Sequence, residues 1–241
     1  MTTAVENLRV KIFGDGAELQ GIVDLARKPF IKGFTTNPTL MRKAGIADYK
    51  SFALEVLAAV PDRPISFEVF SDEFDGMEAQ ALEIASWGAN VNVKIPITNT
   101  RREFSGPLLG RLSRQGVALN VTALMTVDQV RRTVDALQGT APAFISVFAG
   151  RVADTGRDPL PIMRESLSIL RARPATELIW ASPRELLNIM QADEMGCDII
   201  TVTSDILNKL SNVGKDLDEF SLDTVKMFRN DAVQAGFEIT L

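Results

Sequence analysis

The sequence predicts a single (β/α)8 barrel of the TIM type over residues 1–241, and two observations predict it. Short apolar runs alternate with longer amphipathic ones eight times from end to end. The 241 residues, 46% of them apolar, suit one large α/β domain with a sizeable core. No linker, solenoid-period repeat or low-complexity stretch breaks the alternation.

The elements follow in order. Arg9–Phe13 reads as the first strand, with a helical segment around Glu18–Arg27, and Gly33–Asn37 as the second strand. The helix at Tyr49–Val60 places Phe52, Val56 and Leu57 on one side, and Ile65–Phe70 is the third strand. Phe74–Trp87 is a helix stopped by Gly88. In the fourth strand, Val91–Ile97, the side chains of Val91, Val93, Ile95 and Ile97 share one side, Asn92 and Lys94 share the other, and Pro96 marks the end. A helix at Thr100–Arg114, stopped by Gly116, leads to the fifth strand, Val117–Leu124. Thr126-Val-Asp-Gln129 opens the next helix with a capping box. Phe144–Ala149 is the sixth strand, followed by a helix near Pro161–Arg171, and Leu178–Ser182 is the seventh. Ser182-Pro183-Arg184-Glu185 reads as a helix start, with Ser182 as cap, proline at the first helical position and glutamate at the third; that helix ends near Gly196. Ile199–Thr203 is the eighth strand, Lys209–Glu219 a loop and Ser221–Gln234 the last helix.

Composition narrows the chemistry. The net charge of −5 leaves no footprint for nucleic acid. No apolar run reaches membrane-spanning length, and Met-Thr-Thr-Ala-Val-Glu has no signal-peptide character. The lone Cys197 permits no disulfide within the chain, so a cytoplasmic, reducing setting is expected. The chain has no histidine. That excludes Ser-His and Cys-His pairs, imidazole bases and the usual zinc sites, so no metal is expected. Catalysis would have to run on Lys, Asp, Glu, Tyr, Ser or Thr.

In such a barrel the site is built at the C-terminal ends of the strands. The residues there on the inward phase are Asp15 on strand one, Thr35 and Asn37 on two, Glu68 on three and Asn92 and Lys94 on four. Asn120 and Thr122 follow on five, Ser146 and Phe148 on six with Arg151 at its exit, and Ser182 on seven with Arg184 beyond. Each has an ordinary explanation as a turn residue, a cap or a satisfied core polar group. Together they place one lysine, two carboxylates, three amides and several hydroxyls around one point. A buried lysine has its charge disfavoured, and its neutral amine can form a Schiff base with a ketone. Asp15 and Glu68 would move protons, with Thr122 holding a relaying water. Asn37 and Asn120 could hold hydroxyls. Arg151 and Arg184, with a helix start at Ser182, would suit a phosphate.

These segments resemble the transaldolases. Gly33-Phe-Thr-Thr-Asn-Pro-Thr-Leu40 is similar to their Thr-Thr-Asn-Pro motif, and Asn92-Val-Lys-Ile-Pro96 to their Schiff-base strand. Asn120-Val-Thr122, Ile145-Ser-Val-Phe-Ala-Gly-Arg151 and Ala181-Ser-Pro-Arg184 resemble further motifs in the same order, from Ile12 to about Thr203. Val147 stands where the family usually has proline, and Pro183 lies inside the phosphate motif. The resemblance implies an aldolase-like barrel with no cofactor, acting on sugar phosphates and assembling as a homo-oligomer. It implies Lys94 as Schiff-base lysine, Asp15 as proton acceptor, and Glu68 and Thr122 at the catalytic water. It further implies Ser146, Asn37 and Phe148 around a dihydroxyacetone unit, with Arg151, Ser182 and Arg184 on the phosphate. The compact branch that includes fructose-6-phosphate aldolase tends to carry glutamine where Glu68 stands, which favours transfer over simple cleavage. Aldol cleavage releasing dihydroxyacetone, and a silent sugar-phosphate-binding barrel, are the competing expectations.

Overall fold

The computed structural model describes residues 7–240. Eight parallel strands close into a barrel in sequence order: β1 (Lys11–Asp15), β2 (Ile31–Thr35), β3 (Ile65–Glu68), β4 (Val91–Pro96), β5 (Leu119–Leu124), β6 (Ala143–Val147), β7 (Thr176–Trp180) and β8 (Ile199–Thr203). The helices among the described residues are α1 (Leu19–Ala26), α2 (Pro38–Lys43), α3 (Tyr49–Ala59), α4 (Phe74–Ala85), α5 (Gly106–Arg114), α6 (Val127–Ala136), α7 (Ala149–Ala153), α8 (Leu160–Leu170), α9 (Leu187–Glu194), α10 (Ser204–Leu207) and α11 (Leu217–Gln234).

The apolar residues separate into two clusters. The larger lies between the strands and the helical ring and includes Val93, Ile95, Phe67, Val121 and Trp180. The smaller fills the barrel's interior with Phe13, Phe144, Ile179, Ala181 and Ile199. Phe13 and Phe144 meet edge-to-face at 5.8 Å between ring centroids. Gly33 is required here, because a Cβ would lie 2.6 Å from the Phe13 ring. This plug closes the barrel below the polar residues and leaves the C-terminal end for a site.

Several boundaries differ from the sequence reading. The first strand is Lys11–Asp15 rather than Arg9–Phe13, since the Arg9 and Val10 N–H groups donate to the Asp193 carboxylate. The second ends at Thr35, because Asn37 caps α2, accepting from the Leu40 N–H at 3.0 Å. The expected helix at Thr100–Arg114 starts only at Gly106: residues 98–105 form a loop closed by a Thr98–Phe104 bridge. The helix expected from Ser182 starts at Leu187. Ser182 has φ +60°, which is not the extended backbone of an N-cap, and Asn188 Oδ1 takes the Arg184 and Glu185 N–H groups instead. The last helix begins at Leu217, where the Asp216 side chain accepts from the N–H groups of Asp218 and Glu219, so most of the expected Lys209–Glu219 loop is ordered into 3-10 and α turns. No helix among the described residues is long and apolar enough to cross a membrane.

Candidate active site

An open cavity of ≈ 660 Å³ sits at the C-terminal mouth of the barrel. Asp15, Thr35, Asn37, Glu68, Lys94, Thr122, Ser146, Phe148, Arg151, Ser182 and Arg184 all line it. Strand register explains the meeting. Glu68, Lys94 and Asn120 are paired side by side across β3, β4 and β5, and Asp15 pairs with Thr35 of β2 and Thr203 of β8. Residues in register on neighbouring strands point to the same face.

Lys94 is 6% exposed, which for an amine demands partners. Its Nζ donates to the Thr36 carbonyl at 3.0 Å and lies 3.3 Å from Glu68 Oε2. Asp15 accepts from the Thr35 hydroxyl at 2.8 Å, and that hydroxyl also meets the Thr201 hydroxyl. Burial pushes the Asp15 carboxyl above the usual carboxylate range, against the smaller opposing pull of the Lys94 charge and the Thr35 hydrogen bond. A carboxylate raised in this way is the better base near neutral pH.

Thr122 is 1% exposed, and its hydroxyl has no hydrogen-bond partner among the described residues. The next residue, Ala123, has φ +65°, at an irregularity in the β5–β6 register between Val121 and Leu124. A non-glycine residue there costs roughly 1–2 kcal/mol, and such bulges re-aim neighbouring side chains beside active sites. Replacing Thr122 by valine is expected to leave stability level or raise it by about 1 kcal/mol, because an unpaired buried hydroxyl is removed. Turnover should fall all the same. A denaturation curve beside a steady-state assay checks both.

Asn120 is fully buried and does not reach the cavity wall. Its amide donates to Ser66 Oγ at 2.9 Å and its carbonyl oxygen accepts from Ser146 Oγ at 2.7 Å. It thereby fixes Ser146. Asn37 spends its carbonyl oxygen on the α2 cap, which leaves its amide N–H groups for the cavity.

The cationic end is set by α7 and the β7 exit. The Arg151 guanidinium lies 5.9 Å from the Phe148 ring centroid. Arg184 pairs with Asp154, Nε to Oδ1 at 3.0 Å with a second contact to Oδ2, and this pairing holds the Asp154 carboxyl below its usual range. No helix start faces the cavity at Ser182, so the charge at this end of the cavity comes from the arginine side chains rather than from a helix terminus. A Cβ at Gly150 would lie 1.6 Å from the Ser182 carbonyl oxygen. Gly150→Ala must therefore push the β6 and β7 exits apart. The expected result is a KM for phosphorylated substrate at least tenfold higher, with a smaller change for an unphosphorylated one.

Thr201, Thr203, Lys43 and Asp205 also line the cavity and were not among the sequence candidates. Thr201 and Thr203 share the inward phase of β8 with Ile199, so the alternation Ile-x-Thr-x-Thr was the available signal. Lys43 arrives on α2, a helix the sequence did not announce.

Residues 12–239 match the family described as Transaldolase/Fructose-6-phosphate aldolase. The chain is 36% identical over 202 residues to a probable transaldolase of Dehalococcoides mccartyi, covering 83% of this chain and 90% of that one. It is 31% identical over 204 residues to a probable transaldolase of Methanococcus maripaludis, covering 84% and 90%. Among solved structures it is similar to a dihydrodipicolinate synthase from Rhodopseudomonas palustris, with a TM-score of 0.54 at 13% identity over 80% of this chain and 69% of that one. It is likewise similar to a mandelate oxidase mutant, with a TM-score of 0.56 at 12% identity over 80% and 65%. These two likenesses show the barrel alone.

Proposed function

We propose that this chain, which belongs to the transaldolase/fructose-6-phosphate aldolase family, transfers a dihydroxyacetone unit from a ketose phosphate to an aldose phosphate through a Schiff base on Lys94. The donor is fructose 6-phosphate or sedoheptulose 7-phosphate. The observation that carries the reading is the Lys94 amine, buried at the mouth of the barrel, 3.3 Å from Glu68 and in one cavity with the raised carboxyl of Asp15.

The amine adds to the ketose carbonyl carbon, water leaves and an iminium forms. Asp15 takes the proton from the hydroxyl on the carbon beta to the iminium carbon. The carbon–carbon bond breaks, its electron pair enters the iminium as an enamine, and the aldose phosphate departs. The enamine then attacks the acceptor's aldehyde carbon, and Asp15 returns its proton to the new alkoxide. A water between Glu68 and Thr122 completes imine hydrolysis, with Glu68 moving the proton. Thr35, Asn37 and Ser146 hold the dihydroxyacetone hydroxyls against Phe148. Asn120 acts through Ser146. Arg151, the Ser182 segment and Arg184 hold the phosphate.

Cleavage that releases free dihydroxyacetone is the second reading, since the family description covers both activities. Product analysis from fructose 6-phosphate with and without an acceptor aldose phosphate separates them. Equal turnover without acceptor would rule out transfer. An acceptor from a specialised sugar-building route belongs to the same assay, as a further aldose in the panel. We also infer a homo-oligomer, because α11 buries none of its residues and exposes Leu217, Val225 and Phe228, and a cytoplasmic setting from the lone Cys197. Light scattering gives the mass that decides the oligomer.

A further inference from the structure

We propose that Tyr49 is a positioning residue for Glu68, its hydroxyl taking the place of two backbone rungs that the seam between β2 and β3 has lost. This rests on Glu68 moving protons at the Schiff base, as proposed above.

The seam shows why rungs are missing. Phe34 N–H donates to the Pro64 carbonyl at 2.9 Å and Thr36 N–H to the Ser66 carbonyl at 3.1 Å. Continued by two residues, the ladder would bring the N–H of residue 38 to the Glu68 carbonyl. Residue 38 is proline and has no N–H to give. The alternate rung would run from Glu68 N–H to the Thr36 carbonyl. That carbonyl instead accepts from Lys94 Nζ at 3.0 Å. Both Glu68 backbone groups are therefore left without strand partners at the point where β3 carries its carboxylate inward.

The Tyr49 hydroxyl answers both. It donates to the Glu68 carbonyl at 2.8 Å and accepts from the Glu68 N–H at 2.8 Å. A phenol can do both at once. Burial pushes this hydroxyl far above its usual range, so it stays protonated and remains a donor. Its ring is held at the first residue of α3 by edge contacts to Phe67 at 6.4 Å and Phe70 at 5.6 Å, and by Trp87 at 5.9 Å. Tyr49 is the only tyrosine of the chain, and it touches neither the cavity nor the reacting groups. By serving Glu68 it also releases the Thr36 carbonyl to Lys94, so one hydroxyl sets the height of the carboxylate and frees the anchor of the amine.

The test compares four variants by steady-state transfer kinetics, borohydride trapping and thermal melting, all assayed well below their melting points. Tyr49→Phe keeps the ring and removes only the hydroxyl. It is expected to lower kcat roughly tenfold with KM unchanged and the Lys94 adduct still forming. Glu68→Gln should lower kcat at least as far. The double variant should be no slower than Glu68→Gln alone, because Tyr49 acts through Glu68. Met163→Ala, a core truncation on α8 outside this aromatic cluster and away from the cavity lining, should lower the melting temperature without touching kcat. If Glu68→Gln leaves kcat intact, the reading of Glu68 fails. If Glu68→Gln slows the enzyme but Tyr49→Phe does not, the positioning role fails. Additive losses in the double variant, or a kcat loss in Met163→Ala equal to that of Tyr49→Phe, overturn it too. Should Tyr49→Phe not fold, biosynthetic replacement of the single tyrosine by 3,5-difluorotyrosine weakens the acceptor, and an unchanged kcat there overturns the proposal.

Discussion

Lys94→Met is expected to abolish turnover, by on the order of 10⁴-fold or more, since no other group can substitute for a covalent nucleophile. Phosphate binding should survive, because Arg151 and Arg184 sit on other strands' exits. The substitution also strands Glu68, whose side chain is 17% exposed and is paired with Lys94. A buried carboxylate without its cation is costly, so the variant should also melt below the parent. A melting curve, beside a turnover assay, checks both halves.

Asp15→Asn is expected to lower turnover by about 10²- to 10⁴-fold, the usual loss for a general base, while the Schiff base still forms. Trapping with borohydride should then capture donor that has not been cleaved. Its effect on stability has the opposite sign. Burial raises the Asp15 carboxyl in the folded protein above its ordinary range, so the folded state holds this proton more tightly than the unfolded one. Such a group costs stability as pH climbs from its unfolded to its folded pKa. Asparagine does not titrate and can still accept from the Thr35 hydroxyl. The variant should therefore melt higher than the parent at neutral pH and level with it below the ordinary carboxylate range. The acid limb of kcat/KM in the parent should lie above that ordinary range and vanish in the variant.

Much of this site was readable before any coordinates, and the reason is register. A parallel barrel puts alternate residues of every strand on the inside, so Asp15, Glu68, Lys94 and Thr122 could be gathered by phase even where strand ends were misjudged by two residues. What was misread depended on contacts between distant segments. Ser182-Pro183-Arg184-Glu185 satisfies every local rule for a helix start. The close approach of Gly150 and the left-handed backbone at Ser182 override it. Residues 100–105 have helical composition. They are held instead by the Thr98–Phe104 bridge and by Arg101, which reaches Glu73 at 2.7 Å. Thr201 was legible by phase and passed over. The hydroxyl of Tyr49 was not legible, because nothing local says that it reaches a strand 19 residues away.

The central claim is the covalent bond. Reducing the parent protein with borohydride in the presence of fructose 6-phosphate, then digesting it and weighing the peptides, reads it directly. One adduct is expected, of the dihydroxyacetone unit or the intact ketose phosphate, on the peptide carrying Lys94. No adduct, or an adduct on Lys43, which lines the same cavity, would contradict a Schiff base on Lys94.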